Sequence, residues 1–297
     1  MELQPWFDAT EYQKLAYYLQ LPQTQRELVD AFRTNGFVII PDTGIDEATI
    51  DSAVRTLRNK YTESATGYGE RGRVHDAWRF NQYVRAIALS ERVLSTLRTL
   101  YAREPIPFQT LNFKKPTEQR PHSDTVHFNS LPHGFMCGVW VALEDVDATN
   151  GPLFYYPGSQ RLPVYHMHDL GLEPGYDSYK AYEDKIESIL ESSPYRRQEA
   201  HLKKGQALIW SHNIFHGGCR VIDRSRSRLS QVTHFYFPGC IYYTPLLSEP
   251  LEQRWMLRTV VDIRNGQRGP RYEGIGSGLS RLANTYRGVR ALVKRFR

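Results

Sequence analysis

The stretch HSD at residues 122–124 decides how this chain is interpreted, and HGG at 216–218 and RLS at 228–230 complete the pattern. Side chains at positions i and i+2 of a strand point to the same face, so we expect His122 and Asp124 to reach one metal ion together. A histidine, a carboxylate and a second, distant histidine make up the facial triad that holds non-haem Fe(II). That triad leaves three coordination positions open for a 2-oxo acid and O2.

Strand-like segments surround these three stretches. They are residues 108–124, 138–143, 153–156, 207–210 and 228–237. The dipeptide Asn150-Gly151 is a strong turn signal between the second and third of them. This order predicts an antiparallel, mainly β domain in which a double sheet brings the candidate ligands together.

The chain resembles the phytanoyl-CoA dioxygenase family of Fe(II)- and 2-oxoglutarate-dependent oxygenases. The motifs that carry the resemblance extend over most of its length. They are GFVIIP at 36–41, HSD at 122–124, NGPL at 150–153, PGS at 157–159, HGG at 216–218 and RLS at 228–230. The resemblance implies a mainly β fold with helical decoration, built on a double-stranded β-helix, the jelly-roll or cupin-like core. It also implies Fe(II) as the metal, with 2-oxoglutarate and O2 as co-substrates.

Specific residues acquire roles by this resemblance. The catalytic iron ligands are expected to be His122, Asp124 and His216. The residues expected to bind the co-substrate are Arg228, which would pair with its distal carboxylate, Ser230, which would add a hydroxyl group, and Trp140 and Leu111, which would line its pocket.

Two departures from the family pattern bear on these roles. The loop after His216 is one residue longer than usual, so Arg226 is an alternative to Arg228 as the anchor, and the spacing to residues 233–235 favours Arg228. The PGSH turn of the family ends here in Gln160. Related halogenating enzymes have a small residue in place of the carboxylate, so Asp124 favours hydroxylation or a related oxidation over halogenation.

The predicted function is therefore an Fe(II)/2-oxoglutarate-dependent dioxygenase that hydroxylates or otherwise oxidises a C–H bond of a small molecule. Such an enzyme would serve specialised metabolism or cell-surface biosynthesis. The alternative is a catalytically inactive protein that binds a small molecule on the same barrel. The sequence of such an inactive protein would lack a metal ligand, whereas this sequence has all three candidate ligands. The fold does not choose among substrates.

Length and composition agree with a single catalytic domain at residues 1–276, because 297 residues with 40% hydrophobic residues can bury a full core. Residues 1–107 are predicted to be mostly helical, with helices at 24–34, 45–61 and 90–101 and an added strand at 37–40. Residues 108–245 carry the catalytic strands. Within them, an insertion at about 161–201 is a candidate active-site lid.

Other segments favour ordinary structural roles. Residues 71–81 could line a substrate entrance, but a solvated loop with one buried tryptophan is the preferred interpretation. The cluster HMHD at 166–169 is not expected to bind metal. His127 has the opposite strand parity to Asp124 and is expected to face away from the iron.

The C-terminal residues 277–297 predict a basic amphipathic helix. They contain six basic residues and no acidic one, so they account for the whole net charge of +6. Their apolar positions recur at helical spacing: Leu279, Leu282, Tyr286, Val289, Val293 and Phe296. Such a helix could lie on an anionic membrane surface, on the barrel itself or in an oligomer contact. Nucleic acid is not expected as a partner, because the remaining 32 basic and 32 acidic residues cancel.

Cellular location is predicted from the other end of the chain and from its cysteines. The N-terminus has neither a basic segment nor an apolar segment of the signal-peptide type. Three scattered cysteines are too few for a disulfide framework. We therefore expect a cytoplasmic protein, with the C-terminal helix as a potential contact to the inner membrane surface. The oligomeric state is not indicated by the sequence.

Overall fold

The structure is a computed structural model that describes residues 4–61 and 72–270. Its helices are α1 (Ala16–Gln20), α2 (Gln23–Asn35), α3 (Glu47–Leu57), α4 (Gln82–Ala88), α5 (Glu91–Tyr101) and α6 (Tyr179–Glu191). Its strands are β1 (Phe37–Ile40), β2 (Arg73–His75), β3 (Ile106–Phe113), β4 (Asn129–Leu131), β5 (Met136–Ala142), β6 (Leu153–Tyr155), β7 (Gln198–Ala200), β8 (Ala207–Ser211), β9 (His216–Gly218), β10 (Ser230–Tyr236), β11 (Ile241–Tyr243), β12 (Val260–Val261) and β13 (Arg268–Gly269).

Local capping groups fix the ends of the N-terminal helices. The Asp46 carboxylate accepts a hydrogen bond from the Thr49 amide at the start of α3, and the Ser90 hydroxyl caps α5 in the same way. α2 ends at Gly36, whose φ of 81° is in the left-handed region that glycine adopts most easily. The three predicted helices correspond to α2, α3 and α5, although α3 is shorter than the predicted 45–61, and α1 and α4 were not predicted.

The largest sheet has six antiparallel strands in the order β1-β8-β5-β10-β3-β2. Both of its edge strands come from the N-terminal part of the chain. β1 confirms the strand predicted at residues 37–40. β2 corrects the interpretation of residues 71–81 as a solvated loop, because Arg73 and His75 pair in register with Phe113 and Leu111 of β3.

Side-chain alternation gives the six-stranded sheet two apolar faces. On β5, Val139 and Val141 pack with the N-terminal helices, while Trp140 and Ala142 point to the opposite side. That opposite side packs against residues of a three-stranded sheet with the order β7-β6-β9, including Tyr155. Two facing antiparallel sheets with helices outside one of them confirm the predicted jelly-roll core with helical decoration.

The insertion between β6 and β8 packs against the barrel through an apolar cluster that includes Phe215. It contains 3-10 turns followed by α6, which begins at Tyr179 where the helix-like sequence begins. Tyr182 and Ile186 of α6 pack with Met167 and Leu246 in a separate apolar cluster. The last part of the predicted range forms β7, which belongs to the three-stranded sheet.

The predicted C-terminal helix at residues 277–297 lies outside the described residues. Among the helices that are described, none combines the length and the apolar character needed to cross a membrane.

Candidate metal centre

The backbone brings the two predicted histidine ligands together. His122 and His216 form an antiparallel bridge, in which each amide donates to the carbonyl oxygen of the other over 3.0 and 2.9 Å. With Asp124 they offer three ligand atoms that all lie within 4.8 Å of one another. In the described parts of the chain this is the only group of three or more His, Cys, Asp or Glu side chains that could hold a metal ion. The HMHD segment does not form a second one.

The local conformation at Asp124 differs from the predicted strand. β3 ends at Phe113, and Asp124 begins a 3-10 turn that extends to Val126. His122 is paired with His216 and Ser123 is extended, with φ −109° and ψ 138°, so the i, i+2 spacing still places the His122 and Asp124 side chains together. The same turn overturns the expectation for His127, which lines the cavity at the metal site.

Backbone carbonyls set the orientation of both imidazoles. His122 Nδ1 lies 3.0 Å from the carbonyl oxygen of Arg120, and His216 Nδ1 lies 3.1 Å from that of Ile214. A carbonyl oxygen only accepts hydrogen bonds, so each Nδ1 carries the proton and each Nε2 presents a lone pair. The two Nε2 atoms lie 4.0 and 3.9 Å from Oδ1 of Asp124. Three donors thus face one point.

The second carboxylate oxygen of Asp124 is held by the protein. Trp210 Nε1 donates a hydrogen bond to Oδ2 over 2.8 Å, and His234 Nε2 lies 3.4 Å from the same oxygen. Oδ1 is left as the ligand atom, so the carboxylate is arranged to bind a metal through one oxygen. Burial raises the pKa of Asp124, but the proximity of His216 and the hydrogen bond from His234 outweigh it and keep the pKa well below its usual range.

Glycine at one position makes room for this arrangement. In the sheet register, Gly138 of β5 lies between Trp210 of β8 and His234 of β10. A Cβ atom at Gly138 would lie 2.3 Å from Cε2 of the Trp210 indole. The Trp210 ring therefore reaches Asp124 across Gly138, where no side chain stands in its way. The sequence analysis missed both Trp210 and His234, although the parity of His234 with Ser230 on one strand was a usable signal.

Burial keeps the imidazole of His122 neutral. Desolvation is the main cause and the proximity of His216 the second, and together they lower the pKa of His122 to about 3. The imidazole is neutral at neutral pH, so metal binding there displaces no proton.

The triad opens into a cavity of about 410 Å³. Arg228 lines it and is 2% exposed. Its guanidinium carbon lies 5.5 Å from the ring centre of Trp140 and 5.6 Å from that of Phe113. Its Nε and Nη1 atoms are buried and have no hydrogen-bond partner among the described residues. Burial lowers the pKa of Arg228 to about 10, which leaves it a cation at neutral pH.

The alternative anchor, Arg226, is engaged elsewhere. Its Nη1 donates to Asp147 over 2.6 Å and to the Thr149 hydroxyl over 2.7 Å. Arg226 does not line the cavity, so the structure places Arg228 and not Arg226 beside the triad.

The other residues predicted to bind the co-substrate occupy the same region. Trp140 and Leu111 line the cavity. Ser230 does not line it, but it lies on the same face of β10 as Val232, and its buried hydroxyl has no hydrogen-bond partner among the described residues. Trp140 Nε1 is also buried and has no hydrogen-bond partner among the described residues. Buried polar groups without partners are rare, and several of them here lie beside one cavity.

These side chains fit Fe(II) and 2-oxoglutarate, the groups that the family resemblance implies. Two imidazole nitrogens and one carboxylate oxygen suit Fe(II). The unpaired Arg228 guanidinium, 5.5 Å from the Trp140 ring, suits a carboxylate, because a guanidinium binds both oxygens of a carboxylate through paired hydrogen bonds.

Comparison with known proteins gives matches to one family. The model of the family described as Phytanoyl-CoA dioxygenase (PhyH) matches residues 32–222, which is more than half of the chain. Among curated proteins, "Phytanoyl-CoA dioxygenase domain-containing protein 1" of Danio rerio is 33% identical over 173 residues, covering 54% of each chain. The protein of the same name in Mus musculus is 35% identical over 84 residues, covering 27% of this chain and 29% of its own length. The chain thus spans about half or less of these relatives.

Solved structures share the fold at low sequence identity. The epimerase SnoN, in complex with Fe3+, alpha ketoglutarate and nogalamycin RO, has a TM-score of 0.58 at 21% identity and covers 75% of this chain and 87% of its own. EctD from S. alaskensis, with 2-oxoglutarate and 5-hydroxyectoine, has a TM-score of 0.54 at 15% identity and covers 90% and 88%. At these identities the likeness shows the fold alone.

Proposed function

This chain belongs to the phytanoyl-CoA dioxygenase family of Fe(II)- and 2-oxoglutarate-dependent oxygenases, and from that premise we propose that it hydroxylates or otherwise oxidises a C–H bond of a small molecule. The observation that carries the proposal is the complete triad beside an unpaired, buried Arg228 in one cavity. Fe(II) held there would supply the oxidising chemistry, in which 2-oxoglutarate would be converted to succinate and CO2, with one oxygen atom of O2 entering the succinate and the other the oxidised product.

The protein's own residues hold and orient these groups. His122, His216 and Asp124 Oδ1 would bind the metal on one face. Arg228 would bind the distal carboxylate of 2-oxoglutarate through its free Nε and Nη1. Ser230 is a candidate second donor to that carboxylate.

The walls of the cavity support the same reaction. Trp140, Leu111 and Val232 present apolar surface at the co-substrate end of the cavity. Apolar walls lower the local polarity, which would strengthen the pairing of Arg228 with a carboxylate.

Hydroxylation or a related oxidation is proposed over halogenation because Asp124 occupies the position that halogenating relatives leave small. The shared fold does not itself decide the outcome, since it includes an epimerase from nogalamycin biosynthesis. A role in specialised metabolism or cell-surface biosynthesis is part of the proposal. The alternative, a binding protein that has lost turnover, is not favoured by a complete set of ligands.

The experiment is a spectroscopic titration. Under argon, the protein with Fe(II) and 2-oxoglutarate should develop the weak visible charge-transfer band of the chelated co-substrate, and O2 should discharge it. His122→Ala, Asp124→Ala and His216→Ala should each abolish the band. His127→Ala removes an imidazole from the same cavity outside the triad, so it should retain the band. A band of full intensity in all three triad variants would refute the assignment.

A further inference from the structure

Helix α6 of the insertion lies against the segment that carries two of the three metal ligands. Gln119 Nε2 donates a hydrogen bond to the Tyr179 hydroxyl over 3.1 Å, and the Ser123 amide donates to the Tyr182 hydroxyl over 3.5 Å. Tyr179 is the first residue of α6 and also lines the metal cavity. The helix therefore contacts the chain on both sides of His122.

Ion pairs add to these hydrogen bonds. The Arg120 guanidinium contacts two carboxylates of α6, with Nη1 at Asp184 and Nη2 at Glu187. The two acidic residues are three positions apart, so they lie on the same side of the helix. Neither of them lines the metal cavity. One guanidinium thus joins the ligand-bearing segment to α6 at two points outside the cavity.

The backbone of Arg120 contacts a metal ligand. Its carbonyl oxygen lies 3.0 Å from His122 Nδ1 and accepts the proton of that nitrogen, which leaves Nε2 to face the metal position. A rotation of the Arg120 peptide group would move this acceptor and release the imidazole. The side chain and the carbonyl group of a single residue therefore connect α6 to His122.

The segment before His122 depends on such contacts for its order. β3 ends at Phe113, and residues 114–121 form neither helix nor strand. Near Arg120 the backbone is held by the Gly218 amide, which donates to the Gln119 carbonyl oxygen over 2.9 Å. A segment without a regular ladder of hydrogen bonds opens locally more easily, so its side-chain contacts contribute more to its order.

We propose that Arg120 is a positioning residue, whose ion pairs with α6 keep its carbonyl group in the place that orients His122. The insertion then supports the metal centre in addition to forming part of the cavity wall. The acidic residues of α6 affect metal affinity, although they do not reach the metal. The inference rests on the proposed function for the identity of that metal.

The first test is hydrogen exchange of the metal-free protein, followed by mass spectrometry. The amides of His122 and His216 each donate to the carbonyl oxygen of the other, so their exchange reports on the order of the bridge. In Arg120→Met these amides should exchange faster by about threefold or more, since two exposed ion pairs are lost. Amides of α5 should exchange as in the parent protein.

Arg98→Met is the matched control. Arg98 of α5 also pairs with two acidic residues, Glu91 and Glu104, and its side chain is 37% exposed, against 34% for Arg120. This variant should leave the His122 and His216 amides unchanged. If these amides exchange equally in Arg120→Met and the parent protein, the proposal is overturned. Equal acceleration in both variants would also overturn it, because the effect would then be a general loss of stability.

The second test is an anaerobic Fe(II) titration at saturating 2-oxoglutarate, followed by the charge-transfer band. Arg120→Met should weaken Fe(II) binding by about threefold or more, and so should the double variant Asp184→Asn with Glu187→Gln. Arg120→Lys should weaken it less, because it keeps the charge. Full affinity in the double variant, with a loss in Arg120→Met, would show that α6 is not involved and would contradict the proposal.

Ionic strength provides an independent check of the ion pairs. Salt screens exposed charges, so the difference in Fe(II) affinity between the parent protein and Arg120→Met should shrink as NaCl is added. A difference that persists undiminished in high salt would contradict the proposal. If the parent protein forms no charge-transfer band, the proposed function is overturned, and the exchange experiment on the metal-free protein still decides the role of Arg120.

Discussion

Removing one indole N–H should weaken metal binding without touching a metal ligand. Trp210→Phe keeps an aromatic ring in the barrel but deletes the donor that lies 2.8 Å from Asp124 Oδ2. The remaining contact of that oxygen is His234 Nε2 at 3.4 Å, a longer and weaker interaction. The carboxylate would then be free to rotate away from the position in which Oδ1 faces the two histidines.

The size of the effect follows from the hydrogen bond. A hydrogen bond to a charged group contributes roughly 1.5–3 kcal/mol, and each 1.4 kcal/mol is about tenfold in an equilibrium constant. Because His234 retains part of the restraint, we expect Fe(II) affinity to fall by about 10- to 100-fold. This range is the usual cost of losing a partner of a metal ligand.

The assay is an anaerobic Fe(II) titration at saturating 2-oxoglutarate, followed by the charge-transfer band. Gly138→Ala should give a loss of the same kind with Trp210 still present, because the new Cβ would lie 2.3 Å from the indole and displace it. Trp78→Phe is the control. It also deletes an indole–carboxylate hydrogen bond, to Asp76 over 3.2 Å, but away from the triad.

Folding and metal binding are separated by a thermal melt of each metal-free variant. If Trp210→Phe binds Fe(II) as tightly as the parent protein, Trp210 does not hold the carboxylate and the reasoning is refuted. Equal losses in Trp210→Phe and Trp78→Phe would point to a general loss of stability instead.

Two further predictions concern a cofactor anchor and a buried imidazole. Arg228→Lys should raise the KM for 2-oxoglutarate by about tenfold or more, while Arg226→Lys should not, because Arg226 is paired with Asp147; equal effects would contradict the assignment. For His212, burial lowers the pKa to about 3, below the unfolded value of about 6.5. Between these two values protons bind preferentially to the unfolded state. The free energy of unfolding of the metal-free protein should therefore fall by about 2 kcal/mol on going from pH 7 to pH 5 because of His212. In urea unfolding of His212→Gln, the fall in unfolding free energy from pH 7 to pH 5 should be smaller than in the parent protein by that amount. An equal fall in both proteins would show that His212 is not neutral in the folded state.

The sequence by itself determined the features that depend on local chemistry. The types of the candidate ligands and the helix-capping residues can be read from the sequence. Asp46 and Ser90 mark the starts of α3 and α5 because their side chains accept hydrogen bonds from amides three residues away. The alternation on β5 likewise follows from the geometry of a strand, whatever lies on either side of it. These features need no knowledge of the rest of the chain.

The tertiary structure alone decided which distant side chains share one site. Trp210 and His234 meet at Asp124 because three strands align around Gly138, and that register is a property of the assembled sheet. Arg73 enters the cavity because β2 joins the edge of the sheet beside β3.

Turns and burial decided the remaining questions. His127 faces the cavity because the chain turns at Asp124, where strand parity no longer applies. Arg228 is buried without a partner, whereas Arg226, two residues earlier, pairs with Asp147. The sequence favoured Arg228 by spacing alone, and strand parity gave the wrong direction for His127. The outcome at both positions depended on contacts with residues far away in the chain, because sheet register and burial arise only when the separate elements pack together.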